Sequence, residues 1–299
     1  YEGTGYGKFG QQKYFSDDKT QVSISYGSSG GSDNSNKILL PRNAEIIDAN
    51  IGVRGRFQDP SNIPISTYTI QEDPSELSMD GYAMEKGDID DDGDIDVIVS
   101  DIRNDRIVWI ENKGDNISEW KLHDIYDGYD TTNTYSIDVD DIDGDGDLDV
   151  AATSYSRGYV MWFRNNNDGD SWSRYRFKTG FSYAGRVRIA DMDQDGNPDI
   201  VVASYYNYLY YRDEFLYWFE APDNPSTTSG WKSHQIASSP YYYMYSYLGM
   251  DVGYLNDDDY PDIVLSTYPR YSYYGNNHLH TYTNPKSTSG SWSHKVIDS

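Results

Sequence analysis

A nine-residue acidic motif that recurs four times constrains this chain more than any other feature. The stretches Asp88-Ile-Asp-Asp-Asp-Gly-Asp-Ile-Asp96, Asp141-Ile-Asp-Gly-Asp-Gly-Asp-Leu-Asp149, Asp191-Met-Asp-Gln-Asp-Gly-Asn-Pro-Asp199 and Tyr254-Leu-Asn-Asp-Asp-Asp-Tyr-Pro-Asp262 align without a gap. Their last Asp residues lie 53, 50 and 63 positions apart. A period of about 50 residues means that each unit is one small supersecondary element that buries its apolar face on its neighbours.

Each motif runs into a short β-branched strand: Val97 to Ser100, Val150 to Thr153, Ile200 to Ala203 and Ile263 to Ser266. A second strand carries Trp109, Trp162 and Trp218 at matching places, where the fourth copy has Thr281. A Gly, Asn, Pro or Ser turn follows, and a third segment opens with Trp120, Trp172, Trp231 or Trp292. Three or four short strands per unit predict an all-β fold of radially repeated small sheets, the blades of a β-propeller, over residues 69–299. No segment has helical periodicity. Residues 1–68 lack the pattern. Gln21 to Tyr26 alternates as a half-buried strand, and Ala49 to Phe57 does so more loosely, which predicts a small β-sandwich-like N-terminal segment ahead of the repeats.

Charge decides what such a protein can hold. With 49 acidic and 24 basic side chains the formal net charge is −25, which excludes a nucleic-acid binder that works by phosphate neutralisation and disfavours anionic membranes. Cations are the natural partners. The chain has no cysteine, so neither disulfides nor thiolate metal sites are available. Its longest apolar runs are of strand length and far short of the roughly 18 residues that would cross a bilayer. It begins at Tyr1 with no leader-like segment, which reads as a processed chain.

In the pattern D-x-D-x-D-G-x-x-D, the carboxylates at positions 1, 3, 5 and 9 converge because the glycine at position 6 permits a sharp turn. A hard cation such as Ca²⁺ takes about 6 to 8 oxygens, one of which a main-chain carbonyl at position 7 can supply. The expected ligand sets are therefore Asp88, Asp90, Asp92 and Asp96; Asp141, Asp143, Asp145 and Asp149; and Asp191, Asp193, Asp195 and Asp199. Asp94, Asp147 and Asn197 would contribute their carbonyls. An EF-hand fits less well, since that motif needs flanking helices and a Glu at position 12. The fourth copy has Tyr254 for the first Asp, Asn256 for the second and Asp259 for the glycine, leaving Asn256, Asp258 and Asp262 as a weaker candidate set.

Other chemistry is sparse. There is no G-x-S-x-G elbow, and acidic residues are too numerous for a glycosidase pair to be located, so the chain reads as non-enzymatic. His278-Leu-His280 puts two imidazoles on one strand face without an evident third ligand, while His123, His234 and His294 follow the third-segment Trp and read as packing. Fifteen of the 31 tyrosines fall in tracts at 205–217, 241–247 and 268–274, a candidate aromatic platform for sugar stacking or subunit contact. Asn116-Ile-Ser118 is an N-x-[ST] sequon in an expected turn.

The acidic motif leading into a strand, then Trp, then Trp-x-x-His-x-Ile (Trp120 to Ile125, Trp231 to Ile236), resembles the FG-GAP/VCBS repeat family over about residues 80–299. The resemblance implies an extracellular, calcium-binding β-propeller of the kind found in integrin α-subunit ectodomains and microbial surface proteins and lectins. The segment Ile38 to Ile51 resembles β-sandwich strands that accompany such repeats in prokaryotic surface proteins. The family ring has about seven blades and only four repeats are visible here. Closure is therefore expected either from strand 292–297 completing the first blade or, as favoured, from further repeats or neighbouring subunits. The expected function is a calcium-stabilised structural or adhesive surface protein that associates with itself or with other surface proteins; the alternative is a carbohydrate-binding module attached to an enzyme, with glycans as partners.

Overall fold

The computed structural model describes residues 79–114, 119–181, 183–204, 216–237, 245–269 and 278–297, together with three short strands nearer the N-terminus. Those three, β1 (Ser23–Ile24), β2 (Ile38–Pro41) and β3 (Ile65–Thr67), form one antiparallel sheet in that order. β1 lies within the alternating stretch expected as a strand; the expected strand at Ala49 to Phe57, the sequon at Asn116 and most of the tyrosine tracts lie outside the described residues.

Four further sheets follow, each four-stranded, antiparallel and in plain sequence order. The first contains β4 (Gly81–Gly87), β5 (Asp96–Asp101), β6 (Arg106–Glu111) and β7 (Lys121–Asp127). The second contains β8 (Thr134–Asp140), β9 (Asp149–Ser154), β10 (Tyr159–Asn166) and β11 (Ser171–Lys178). The third runs β12 (Ala184–Ala190), β13 (Asp199–Ser204), β14 (Leu216–Glu220) and β15 (Lys232–Ala237), and the fourth β16 (Tyr245–Gly253), β17 (Asp262–Pro269), β18 (His278–Thr283) and β19 (Ser293–Ile297). The acidic motif is thus the hairpin connection between the first and second strands of every sheet. A 3₁₀ turn, Tyr129–Thr131, joins the first sheet to the second. The strand after Trp292 pairs with β18 inside the fourth sheet, and the first sheet has four strands of its own, so strand 292–297 does not complete the first sheet.

The sheets stack in series through their first strands: β4 on β8, β8 on β12, β12 on β16. No comparable packing joins β16 back to β4 among the described residues, so a closed propeller ring is not established. Alternation explains the stacking, because successive side chains of a strand point to opposite faces. Ile98, Ile107 and Trp109 of the first sheet meet Val150, Ala152 and Phe163 of the second. Ala151, Val160 and Trp162 on the other face of the second meet Val187, Ile200 and Val202 of the third. Val201, Leu216 and Trp218 then meet Met250, Ile263 and Leu265 of the fourth. Each buried Trp also stacks on the ring from the next strand, Trp109 on His123 at 4.5 Å, Trp162 on Tyr175 at 4.8 Å and Trp218 on His234 at 4.3 Å between centroids. The repeated histidines are packing groups, as expected.

Every first strand carries a bulge near its start, between Gly81 and Ala83, Thr134 and Ser136, Ala184 and Arg186, and Tyr247 and Gly249. A bulge adds twist and re-aims the side chain at that point. In the first two sheets the extra residue is a tyrosine, and Tyr82, Tyr135, Tyr155 and Tyr183 form a row across three sheets with centroids 4.6, 5.0 and 5.1 Å apart, at the end of the array remote from the acidic motifs.

Three residues beyond each bulge, one charged residue per sheet stands at the same register: Glu85, Asp138, Arg188 and Asp251, paired across to Ile98, Ala151, Val201 and Val264. Arg188 Nε lies 3.3 Å from Asp251 Oδ1, and Asp138 Oδ2 accepts the backbone N–H of Ile189 at 2.6 Å, linking the second sheet to the third. Burial, and then the charge of Asp138, push the Glu85 carboxyl up to about 7, while Arg188 pulls it down; burial likewise pushes Asp138 up to about 6, again against Arg188. Both folded values lie above those of the free side chains, so these groups bind protons more tightly in the folded state and their contribution to stability falls as pH rises through about 4 to 7. Arg188→Gln should therefore destabilise the protein by about 1 kcal/mol at pH 8 and by clearly less at pH 5. Paired urea melts at the two pH values measure this, and an equal loss at both would show that the four charges are not coupled.

Candidate metal centres

The three complete motifs fold into loops of one shape. Their position-6 glycines have φ of +94° (Gly93), +101° (Gly146) and +95° (Gly196), backbone that other residues adopt only under strain. Position 4 is left-handed as well, at Asp91, Gly144 and Gln194, which the pattern of carboxylates does not announce. The first Asp then caps the turn from inside. Asp88 accepts the N–H of Asp92 and of Gly93, Asp141 those of Gly144, Asp145 and Gly146, and Asp191 those of Asp195 and Gly196, all at 2.8–3.1 Å.

The ninth Asp does different work. Asp96, Asp149 and Asp199 are wholly buried, and each bridges its sheet with both oxygens. Oδ2 accepts the N–H of motif position 2 (Ile89, Ile142, Met192) at 2.9–3.0 Å, and Oδ1 accepts an N–H at the end of the third strand (Asn112, Asn165, Ala221) at 2.7–2.8 Å. Asp262 repeats the second bond, to Asn284 at 2.8 Å, but its Oδ2 takes the side-chain amide of Asn256 at 2.8 Å in place of a backbone donor.

Positions 1, 3 and 9 converge. Asp88, Asp90 and Asp96 each offer one carboxylate oxygen, all within 4.8 Å of one another, and so do Asp141, Asp143 and Asp149, and Asp191, Asp193 and Asp199. The position-5 carboxylates Asp92, Asp145 and Asp195 fall outside these triads and turn back to accept the N–H of Asp94, Asp147 and Asn197 at 2.8–3.1 Å. Two further facts bear on whether a cation fits. Asp90 Oδ1 and Asp143 Oδ1 are buried without any hydrogen-bond partner, a costly state that a metal ion would relieve. Burial, with smaller repulsion from neighbouring carboxylates, pushes Asp96 up to about 6 and both Asp149 and Asp199 up to about 8, and it raises Asp90, Asp143 and Asp193 too. All-oxygen donors of this charge suit a hard divalent cation, whose binding would require these carboxylates to give up protons.

The fourth loop is built otherwise. Neither Asp257 nor Asp259 is among the residues with positive φ, Tyr254 is exposed, and no carboxylate triad forms around Asp258 and Asp262. Asp258 instead accepts the N–H of Tyr260 at 3.0 Å and has Lys286 Nζ 3.2 Å away. Basic side chains near the loops were invisible to motif reading because they lie at or just past the end of the third strand: Lys113 lies 3.8 Å from Asp90, and Arg164 Nε lies 2.8 Å from Asp143. Aligning the repeats beyond the motif would have found them.

The two roles of the carboxylates separate by mutation. In chelator, Asp199→Asn should cost about 1–3 kcal/mol, because an amide cannot accept both backbone N–H groups. Asp193→Asn should cost nothing there, since it removes a crowded charge, yet abolish cation binding at that loop. Melts with and without divalent cation distinguish the two, and equal behaviour of the variants would refute the division.

Comparison with known families places these loops. A family model described as an FG-GAP-like repeat matches residues 88–151 and again 141–202. Curated proteins yield no match. Among solved structures, the crystal structure of the V. cholerae biofilm matrix protein Bap1 aligns with 75% of this chain at 16% identity and a TM-score of 0.34; the alignment spans 40% of that protein's chain. No helix among the described residues is long and apolar enough to cross a membrane. The chain thus carries FG-GAP-like repeats, and their acidic loops are the carboxylate clusters of the first three sheets.

Proposed function

We propose that this chain is a calcium-stabilised repeat region of an extracellular surface or matrix protein, with a structural or adhesive role, in which residues 69–299 act as one unit behind a smaller N-terminal one. The observation that carries the reading is the three equivalent carboxylate triads, two of them with a buried oxygen that lacks any protein partner. Three Ca²⁺ ions would offset six of the 25 net negative charges and relieve the repulsion within each loop. Loops of this exposed kind fall in the weak range of about 10⁻⁴ to 10⁻³ M, which extracellular calcium fills and cytosolic calcium does not.

An assembling role follows from the open series of sheets. β19 is the edge strand of the fourth sheet and is exposed along its length, with Val296 and Ile297 about half exposed, and an edge of this kind is a surface that proteins cover by pairing. The partner is a further repeat, a second copy or another surface protein.

Calcium in 100-fold excess over its dissociation constant should add about 2.7 kcal/mol per site, so the melting temperature should fall on chelation. Sedimentation of the same samples should show a larger assembly with calcium than with chelator. An unchanged melt in excess chelator and no bound metal by elemental analysis would overturn the calcium reading. A calcium-loaded monomer that is retained on a polysaccharide column would replace the assembling role with glycan recognition.

A further inference from the structure

The sheets differ by one charge at a single register position. Trp109-Ile-Glu111-Asn112, Trp162-Phe-Arg164-Asn165 and Trp218-Phe-Glu220-Ala221 end the third strand of their sheets, with Thr281-Tyr-Thr283-Asn284 in the fourth. The backbone N–H after this position always donates to the ninth Asp, at 2.7–2.8 Å, so its side chain is delivered to one place beside the acidic loop. The residue there is Glu, Arg, Glu and Thr in turn.

In the first and third sheets a glutamate pairs with the nearby basic groups, although Lys113 still stands 3.8 Å from Asp90 of the first loop. Glu111 accepts from His123 Nε2 at 2.8 Å and pairs with Lys113; Glu220 accepts from His234 Nε2 at 2.8 Å and pairs with Lys232. In the second sheet the arginine turns into the loop. Its Nε lies 2.8 Å from Asp143 Oδ2, and its Nη2 donates to Asp145 Oδ2 at 2.7 Å. With Asp145 Oδ1 already accepting the N–H of Asp147, both oxygens of that carboxylate are engaged, and Asp143 keeps only its unpartnered Oδ1 for a ligand. The fourth loop carries the same substitution further, since Lys286 lies on Asp258 and Asn256 on Asp262.

We propose that Arg164 is a built-in counter-ion of the second loop, which makes this loop the weakest of the three cation sites and the last to fill. The inference rests on the calcium reading above. A fixed positive charge hydrogen-bonded to Asp145 and in charge contact with Asp143 repels an incoming divalent ion, while in the absence of that ion it holds the loop closed. Removing it therefore has two opposite effects: the cation-free protein loses stability and the second loop gains affinity. A purely structural arginine would produce the first without the second.

Native mass spectrometry and calorimetric titration of the full chain with Ca²⁺ alone test this. The wild type should bind two ions in steps of similar affinity and a third at least about tenfold more weakly, as expected for a neighbouring like charge. Asp143→Asn should delete only the weak step. Arg164→Gln and Arg164→Glu should bring the third step within a few-fold of the others and lower the melting temperature in chelator, whereas Arg164→Lys, which keeps the charge, should leave it weak. A wild type that binds no calcium overturns the calcium reading and this inference with it. If calcium binds to the wild type while the Gln and Glu variants leave the third step unchanged or weaker, the counter-ion role alone is refuted. A Gln variant that folds only with calcium still reports its affinity and counts for the proposal if that affinity has risen.

Discussion

A single buried carboxylate per sheet, the ninth Asp of the acidic motif, is the interaction on which the remaining structure depends. In the first three sheets it accepts one N–H from the loop and one from the end of the third strand, so it ties the first hairpin to the next across the sheet at a point where the ladder alone leaves those donors unpaired. The same carboxylate stands at the floor of the candidate metal cluster. Its burial makes the charged form costly, which is why Asp149 and Asp199 are pushed up to about 8. A cation above it would return that cost, and the loop is in this sense a strand connection that becomes comfortable only with a positive charge at its centre.

That requirement is met differently in the four sheets. The first and third loops keep their triads with the nearby basic groups paired to Glu111 and Glu220, the second adds a guanidinium, and the fourth uses Lys286 and an asparagine amide. The hydrogen bond from the end of the third strand to the ninth Asp persists throughout. The frame of the sheet is thus separable from the affinity of its loop, and repeats can diverge in the second without losing the first.

Charge also sits where the sheets meet. Apolar stacking between faces is non-directional and would tolerate sliding, whereas Glu85, Asp138, Arg188 and Asp251 mark one register on the four first strands. One arginine among three carboxylates, with two bonds that cross between sheets, Ile189 to Asp138 and Val187 to Ser136, sets that register. The arrangement couples the array to pH through buried carboxyls in the same way that the loops are coupled to cations.

Much of this was legible in the amino-acid sequence, and for a definite reason. Motifs separated by about 50 residues, β-branched runs of four and matching tryptophans are local signals, and short-range backbone geometry converts them directly into strands, tight loops and the convergence of positions 1, 3 and 9. The strand ahead of each motif was less visible because its residues alternate weakly and include Gly81, Gly87, Gly185 and Gly253. Spacing alone did not show that the position-5 carboxylate also caps its own loop, as Asp92 does by accepting the N–H of Asp94. Whether strand 292–297 served the first or the fourth sheet was open in the sequence; pairing of β19 with β18 decided it, because register between strands is set by tertiary partners and not by the strand itself. Likewise only the folded arrangement brings Arg164 onto Asp143, 21 residues earlier, and sets Glu85 beside Asp138 and Arg188. Local pattern determined the loops, and the packing of one sheet on the next decided which charges stand beside them.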